Sequence, residues 1–109
     1  MEEARGPKHE VDMVRLFLRG HNLEQLGRTE EAIEAYETVV AGAFDSTGPY
    51  DRLIALYSDR ASYTEVIRVA ESALTNVRTY EAKRIWYRSM KTEAEKAGSK
   101  VLKGAPRKA

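Results

Sequence analysis

The sequence predicts an all-α fold, a short right-handed α-solenoid of antiparallel helix pairs with about five helices. Three observations lead there. A shift of 34 residues carries Leu16 onto Tyr50 and moves Glu31, Ile33 and Glu37 onto Glu65, Ile67 and Glu71, so one short pattern occurs twice. Apolar residues recur at three- and four-residue spacing through both copies, which is the period of an amphipathic helix and not of a strand. Gly27, Gly42 and the run Asp45, Ser46, Thr47, Gly48 break the pattern where helices would end. Stacked repeats present a surface, so the pattern favours a binding module over a reaction vessel.

The first helix is expected from about Pro7 or His9 to Leu26. It carries Val11, Val14, Leu16, Phe17, Leu18, Leu23 and Leu26, with Pro7 in the first turn and Gly27 supplying a left-handed stop. The second starts with Thr29 as N-cap and sets Glu30 and Glu31 against the positive helix end. It buries Ala32, Ile33, Ala35, Tyr36, Val39 and Val40 before Gly42. Pro49 opens a third, with Tyr50, Leu53, Ile54 and Tyr57 inward and an end near Arg60. Ser62 to Glu65 read as a capping box ahead of a fourth helix carrying Val66, Ile67, Val69, Ala70, Ala73 and Leu74. Thr79 is the expected cap of a fifth, which turns Ala82, Ile85, Trp86, Ser89, Met90 and Ala97 inward and stops at Gly98.

These elements divide the 109 residues into a flexible start (1–8), a helical domain (9–97) and a basic disordered tail (98–109). The tail holds four cations, no acid, and both Gly and Pro. With a net charge of +1 for the whole chain, residues 1–97 are acidic by about three charges, and the folded part is no polyanion-binding surface overall. Zero cysteines fit a reducing compartment and exclude disulfides and thiolate metal sites. The longest apolar-rich stretch, Met13 to Leu18, falls far below the ~20 residues of a membrane span, and the polar start lacks the apolar core of a signal peptide. A soluble, cytoplasmic protein is expected.

The sequence contains no Gly-rich phosphate loop, no nucleophile elbow and no pair of histidines four apart on a helix. Of its two histidines, His9 with Asp12 supplies two ligands, which do not make a metal site. Glu30, Glu31, Glu34 and Glu37 read as a solvated helical face and not as paired acid–base catalysts. No enzymatic activity, cofactor or metal is expected.

In the first unit Leu16, Gly20, Leu23, Ala32 and Tyr36 stand in order, with Gly27 at the turn between helices. Tyr50, Leu53, Ile54, Tyr57, Val66 and Ala70 take the equivalent places in the second. On these residues the chain resembles the tetratricopeptide repeat family over roughly residues 13–80. The repeats lie at about 13–46 and 47–80, and the fifth helix, about 80–97, is similar to the helix that caps such arrays. The pattern departs from the family at Phe44 and Arg78, where a closing Pro is usual. The resemblance implies that the first helix of each repeat lines a concave groove, exposing Val14, Phe17, His21, Glu24 and Gln25, then Asp51, Arg52, Ala55 and Ser58. It also implies a non-enzymatic interaction or scaffold role, in which a protein or peptide segment lies in the groove. Phe17 would be its apolar anchor, Arg52 would meet an acidic group, and His21 and Asp51 would adjust polarity. Some members grip the C-terminal carboxylate of heat-shock chaperones. That clamp would fall at Phe17, His21, Arg52, Ala82 and Trp86, of which Arg52 alone is a permanent cation, so no cochaperone is predicted.

Two further surfaces stand out. Met13, Val14, Leu16, Phe17 and Leu18 make the first helix apolar nearly all round, which calls for a cover: the N-terminal segment, a second copy or a partner peptide. Self-association is therefore expected through Phe17 and Leu18, with Tyr87 on the terminal helix as a second patch and Trp86 as core over the last repeat. The alternative function is nucleic-acid binding through Arg84, Arg88 and Lys91 together with Lys100 and Lys103, in a field that Glu81, Glu93 and Glu95 dilute.

Overall fold

The computed structural model describes residues 7–104, with side chains for residues 8–100. Five helices follow one another: α1 (Pro7–Gln25), α2 (Thr29–Ala41), α3 (Thr47–Asp59), α4 (Tyr63–Asn76) and α5 (Glu81–Gly104). The fold is all-α, and each helix packs chiefly on its neighbour in the chain, so the five form a linear array. No helix among the described residues is long and apolar enough to cross a membrane.

Close backbone approach sets the helix directions. Gly20 of α1 lies against Ala35 and Tyr36 of α2, while Gly42, just past α2, meets His9 and Met13 near the start of α1, so α2 runs back along α1. A Cβ at Gly20 would stand 2.8 Å from Tyr36 Cε1, which is why the first helix carries glycine in mid-span. α4 and α5 are antiparallel as well, with Gly98 beside Tyr63, Lys91 paired to Glu71, and Arg84 donating to the Leu74 carbonyl. α1 and α3 point the same way: Phe17 covers Gly48, and Glu24, two turns on, meets Arg52.

The 34-residue period is written into the backbone. Gly27 has φ +79° and Ala61 φ +55°. After each, the helix start repeats almost angle for angle, with Arg28 at φ −91°, ψ 67° and Ser62 at φ −88°, ψ 72°. Closing bonds repeat too. Gly27 N–H donates to Glu24 and Arg28 N–H to Leu23, as Ala61 N–H donates to Ser58 and Ser62 N–H to Tyr57. These paired bonds around a left-handed residue satisfy the last carbonyls of α1 and α3 and turn the chain sharply into the next helix. A third such stop ends α2, where the left-handed residue is Ala43 and not its neighbour Gly42. Gly42 serves packing instead, since a Cβ there would stand 3.0 Å from Met13 Sδ.

Tyr36, Tyr50, Leu53, Ile54, Val66, Val69 and Tyr87 are fully buried and form one core along the array. Several sequence expectations change here. Thr29 is the first residue of α2, and Arg28 takes the cap position without a side-chain bond. The capping box at Ser62 does not form: Ser62 is already bound into the α3 stop, and Glu65 turns to Arg68 instead. The carbonyl of Tyr80, not Thr79, starts α5 by accepting from Lys83 and Arg84. Pro7 and Lys8 belong to α1, and α5 does not stop at Gly98 but runs to Gly104, so the expected flexible start and disordered tail both shrink. The remaining parts of those two segments, residues 1–6 and 105–109, lie outside the described residues. Gly98 stays helical and lies beside Tyr63 of α4.

Candidate functional site

α1 and α3 meet along a surface where His21, Glu24, Gln25 and Arg52 line a shallow pocket of about 310 Å³. Four of the residues assigned to the groove from sequence are thus brought together. Glu24 is the centre of the cluster. Its Oε1 accepts from the Tyr36 hydroxyl at 2.8 Å and from Arg52 Nε at 3.1 Å, and Arg52 Nη2 closes on Oε2. The Arg52 bond holds the Glu24 carboxyl below its usual range, outweighing partial burial that pushes the other way, and the Tyr36 bond adds to the lowering. Burial, then Glu24, push the Tyr36 hydroxyl up, and Glu24 in turn raises Arg52. Arg52 therefore does not wait for an acidic ligand, as the sequence suggested, because its acid is supplied from α1.

A second cluster joins α3 to α5. Asp51 Oδ1 accepts from the Tyr87 hydroxyl at 2.8 Å, and Oδ2 lies 2.7 Å from Lys83 Nζ. Lys83 Nζ also sits 4.3 Å from the centre of the Trp86 ring, which packs edge-on against Tyr87. Trp86 keeps 36% of its surface exposed beside these charges, whereas Tyr87 is wholly buried. The expected roles are reversed: Tyr87 is core and unavailable for self-association, and Trp86 is surface. The inward stripe of α5 runs through Lys83, Arg84, Tyr87, Met90 and Ala94, with Ala82, Ile85 and Ser89 outward. Sequence reasoning misses this stripe because the aliphatic stems of Lys83 and Arg84 fill places that a hydropathy pattern assigns to apolar residues.

Phe17 is also reassigned. It is half-buried, 5.8 Å from the Tyr36 ring, and stands over Gly48, where a Cβ would come within 2.6 Å of Cζ. It seals α1 against α3 and is not a free anchor. Ala55 and Ser58 are half-buried on α3, and Val14 and Leu18 are exposed on α1 but line no part of the His21–Arg52 pocket. The residues missed as part of this surface are Lys83 and the open face of Trp86, and Tyr36 was missed as the buried partner beneath it. A usable signal was present in Asp51, Lys83 and Trp86, spaced so that consecutive first helices place them side by side.

The cations assigned to nucleic acid are largely engaged within the protein. Arg84 donates to the Leu74 carbonyl at 3.1 Å, Arg88 pairs with Glu81 at 3.3 Å and Lys91 with Glu71 at 3.0 Å. Glu71 raises Lys91 above its ordinary value. Lys100 is exposed, and the side chain of Lys103 lies outside the described residues. Among the described residues no three His, Cys, Asp or Glu side chains converge to hold a metal ion; His9 instead faces the Gly42 carbonyl, and Asp12 pairs with Lys8. No protein-family model, curated protein or solved structure matches the chain.

Proposed function

We propose that this chain is a non-enzymatic, tetratricopeptide-like interaction module that takes a peptide or an extended protein segment across α1, α3 and α5. The observation that carries the reading is the repetition, 34 residues apart, of the Gly27–Arg28 turn at Ala61–Ser62. Equal turns make equal helix pairs, and equal pairs stack their first helices side by side into one ligand-facing surface. The surface is electrically self-satisfied, since Glu24 pairs with Arg52 and Asp51 with Lys83. A ligand gains most there from apolar or aromatic contact with Trp86 and from hydrogen bonding at His21 and Gln25, and little from a bare carboxylate. A cytoplasmic setting fits the cysteine-free chain.

Trp86 is the sole tryptophan, so its emission reports on this surface directly. Peptides selected from a random displayed library on the immobilised chain are expected to shift that emission. They should bind about ten-fold more weakly, or worse, to Trp86→Ala and to His21→Ala while both variants keep wild-type helicity. Selected peptides that bind all three proteins equally would remove the groove from consideration. Binding that falls by orders of magnitude with added salt would instead favour a polyanion ligand.

A further inference from the structure

The side of α1 that faces away from α2 and α3 is used by neither the core nor the groove. Val11, Val14 and Leu18 lie within about 60° of one another around the helix and stand across it from Gly20 and Leu23. They are 49%, 43% and 53% exposed. Their spacing is that of the alternating three- and four-residue seam of a two-stranded coiled coil, with Glu10 on one flank and Arg15 on the other. Both charges are exposed, and neither has an ion-pair partner among the described residues.

We propose that this face is a self-association seam, in which two copies of the chain pair through parallel α1 helices. Val11, Val14 and Leu18 pack on their counterparts, and Glu10 of each copy meets Arg15 of the other. Charge selects both the occupant and the orientation. A two-fold axis along the helices brings each residue on the Glu10 flank opposite the residue five positions on in the second copy, which satisfies two Glu–Arg pairs at once. The antiparallel arrangement would set the two Arg15 side chains against each other. A second copy of this chain carries that complement in register. Three apolar residues per copy make a short seam, so the dimer belongs among weak, reversible associations. This inference does not depend on the groove reading, because the half-buried Phe17 and the buried Tyr87 take no part in it.

Sedimentation equilibrium on the full chain, from micromolar to millimolar concentration, tests it, with circular dichroism on every variant. A reversible dimer is expected, lost in Val14→Asp with helicity unchanged, since Val14 is exposed and is not a member of the core cluster. Arg15→Glu and Glu10→Arg should each weaken self-association by about ten-fold, and an equimolar mixture of the two should restore it as a heterodimer. A monomer at every concentration, or a dimer that survives Val14→Asp, would overturn the proposal. A dimer as tight in Arg15→Glu as in wild type would exclude the parallel seam.

Discussion

Glu24, Glu37 and Asp51 do the same task at successive joints. Glu24 of α1 accepts from Tyr36 of α2 and is paired with Arg52 of α3; Glu37 of α2 accepts from Tyr57 of α3 and is paired with Arg68 of α4. Asp51 of α3 takes both its partners, Tyr87 and Lys83, from α5. Each carboxylate thereby ties its own helix to later ones; Tyr36 and Tyr87 are core residues, Tyr57 is half-buried against the core, and each hydroxyl takes that partner. Removing one hydroxyl with Tyr36→Phe should lower stability by about 1 kcal/mol, while Arg52→Ala, which leaves Glu24 half-buried without its cation, should cost about 2 kcal/mol. Urea denaturation at neutral pH measures both. The Glu24 carboxyl is held below its unfolded value of 4.5. Its contribution is therefore complete above that value and disappears as the pH falls through the lower folded value. In Arg52→Ala the loss of stability on acidification below 4.5 should be correspondingly shallower.

At the level of the helices, the existence and order of all five were legible in the sequence, because burial at helical spacing and Gly27, Gly42 and Pro49 mark them locally. Their ends were less so. Capping reads from residue type, but Ser62 is bound into the preceding turn, and Arg28, closing the turn after α1, takes the cap position ahead of Thr29, a demand that propensity does not record. Left-handed positions show the same limit: Ala43 and Ala61 occupy them although glycine suits them better. Two substitutions at equivalent sites should thus act in opposite directions. Gly27→Ala meets no neighbour within 4 Å, so its effect is conformational, a loss of about 1 kcal/mol. Ala61→Gly relieves the same strain and should stabilise the chain by up to about 1 kcal/mol, less the added freedom of the unfolded state. Gly20→Ala differs from both, since its Cβ would press on Tyr36 at 2.8 Å; overpacking there should cost about 1 to 3 kcal/mol. Thermal unfolding of the three variants separates the two causes.

In the molecule as a whole, the half of the site on α1 and α3 could be read from the 34-residue period, whereas the half on α5 could not. The period sets α3 in the place of α1, with Ala55 and Ser58 equivalent to His21 and Glu24, but α5 has no following helix, and its long cationic side chains hide which stripe faces inward. Tyr87 resolves that ambiguity physically: it is buried, its ring packs into the common core, and its hydroxyl reaches Asp51. Helices in a linear array contact mainly their neighbours, so damage at one end need not reach the other. Tyr87→Ala should therefore destabilise the chain by about 3 to 5 kcal/mol, while Tyr87→Phe, which keeps the ring and loses one bond, should cost about 1 kcal/mol. Hydrogen exchange would show where the larger loss falls. Amides of α5, and of α4 around Tyr63 and Glu71, should lose protection in Tyr87→Ala before those of α2 and α3, because the α1–α2–α3 joint keeps its Glu24, Tyr36 and Arg52 tie. Uniform loss across all five helices would mean that the capping helix is part of a single cooperative unit, and that the surface built on Trp86 exists only when the whole array is folded.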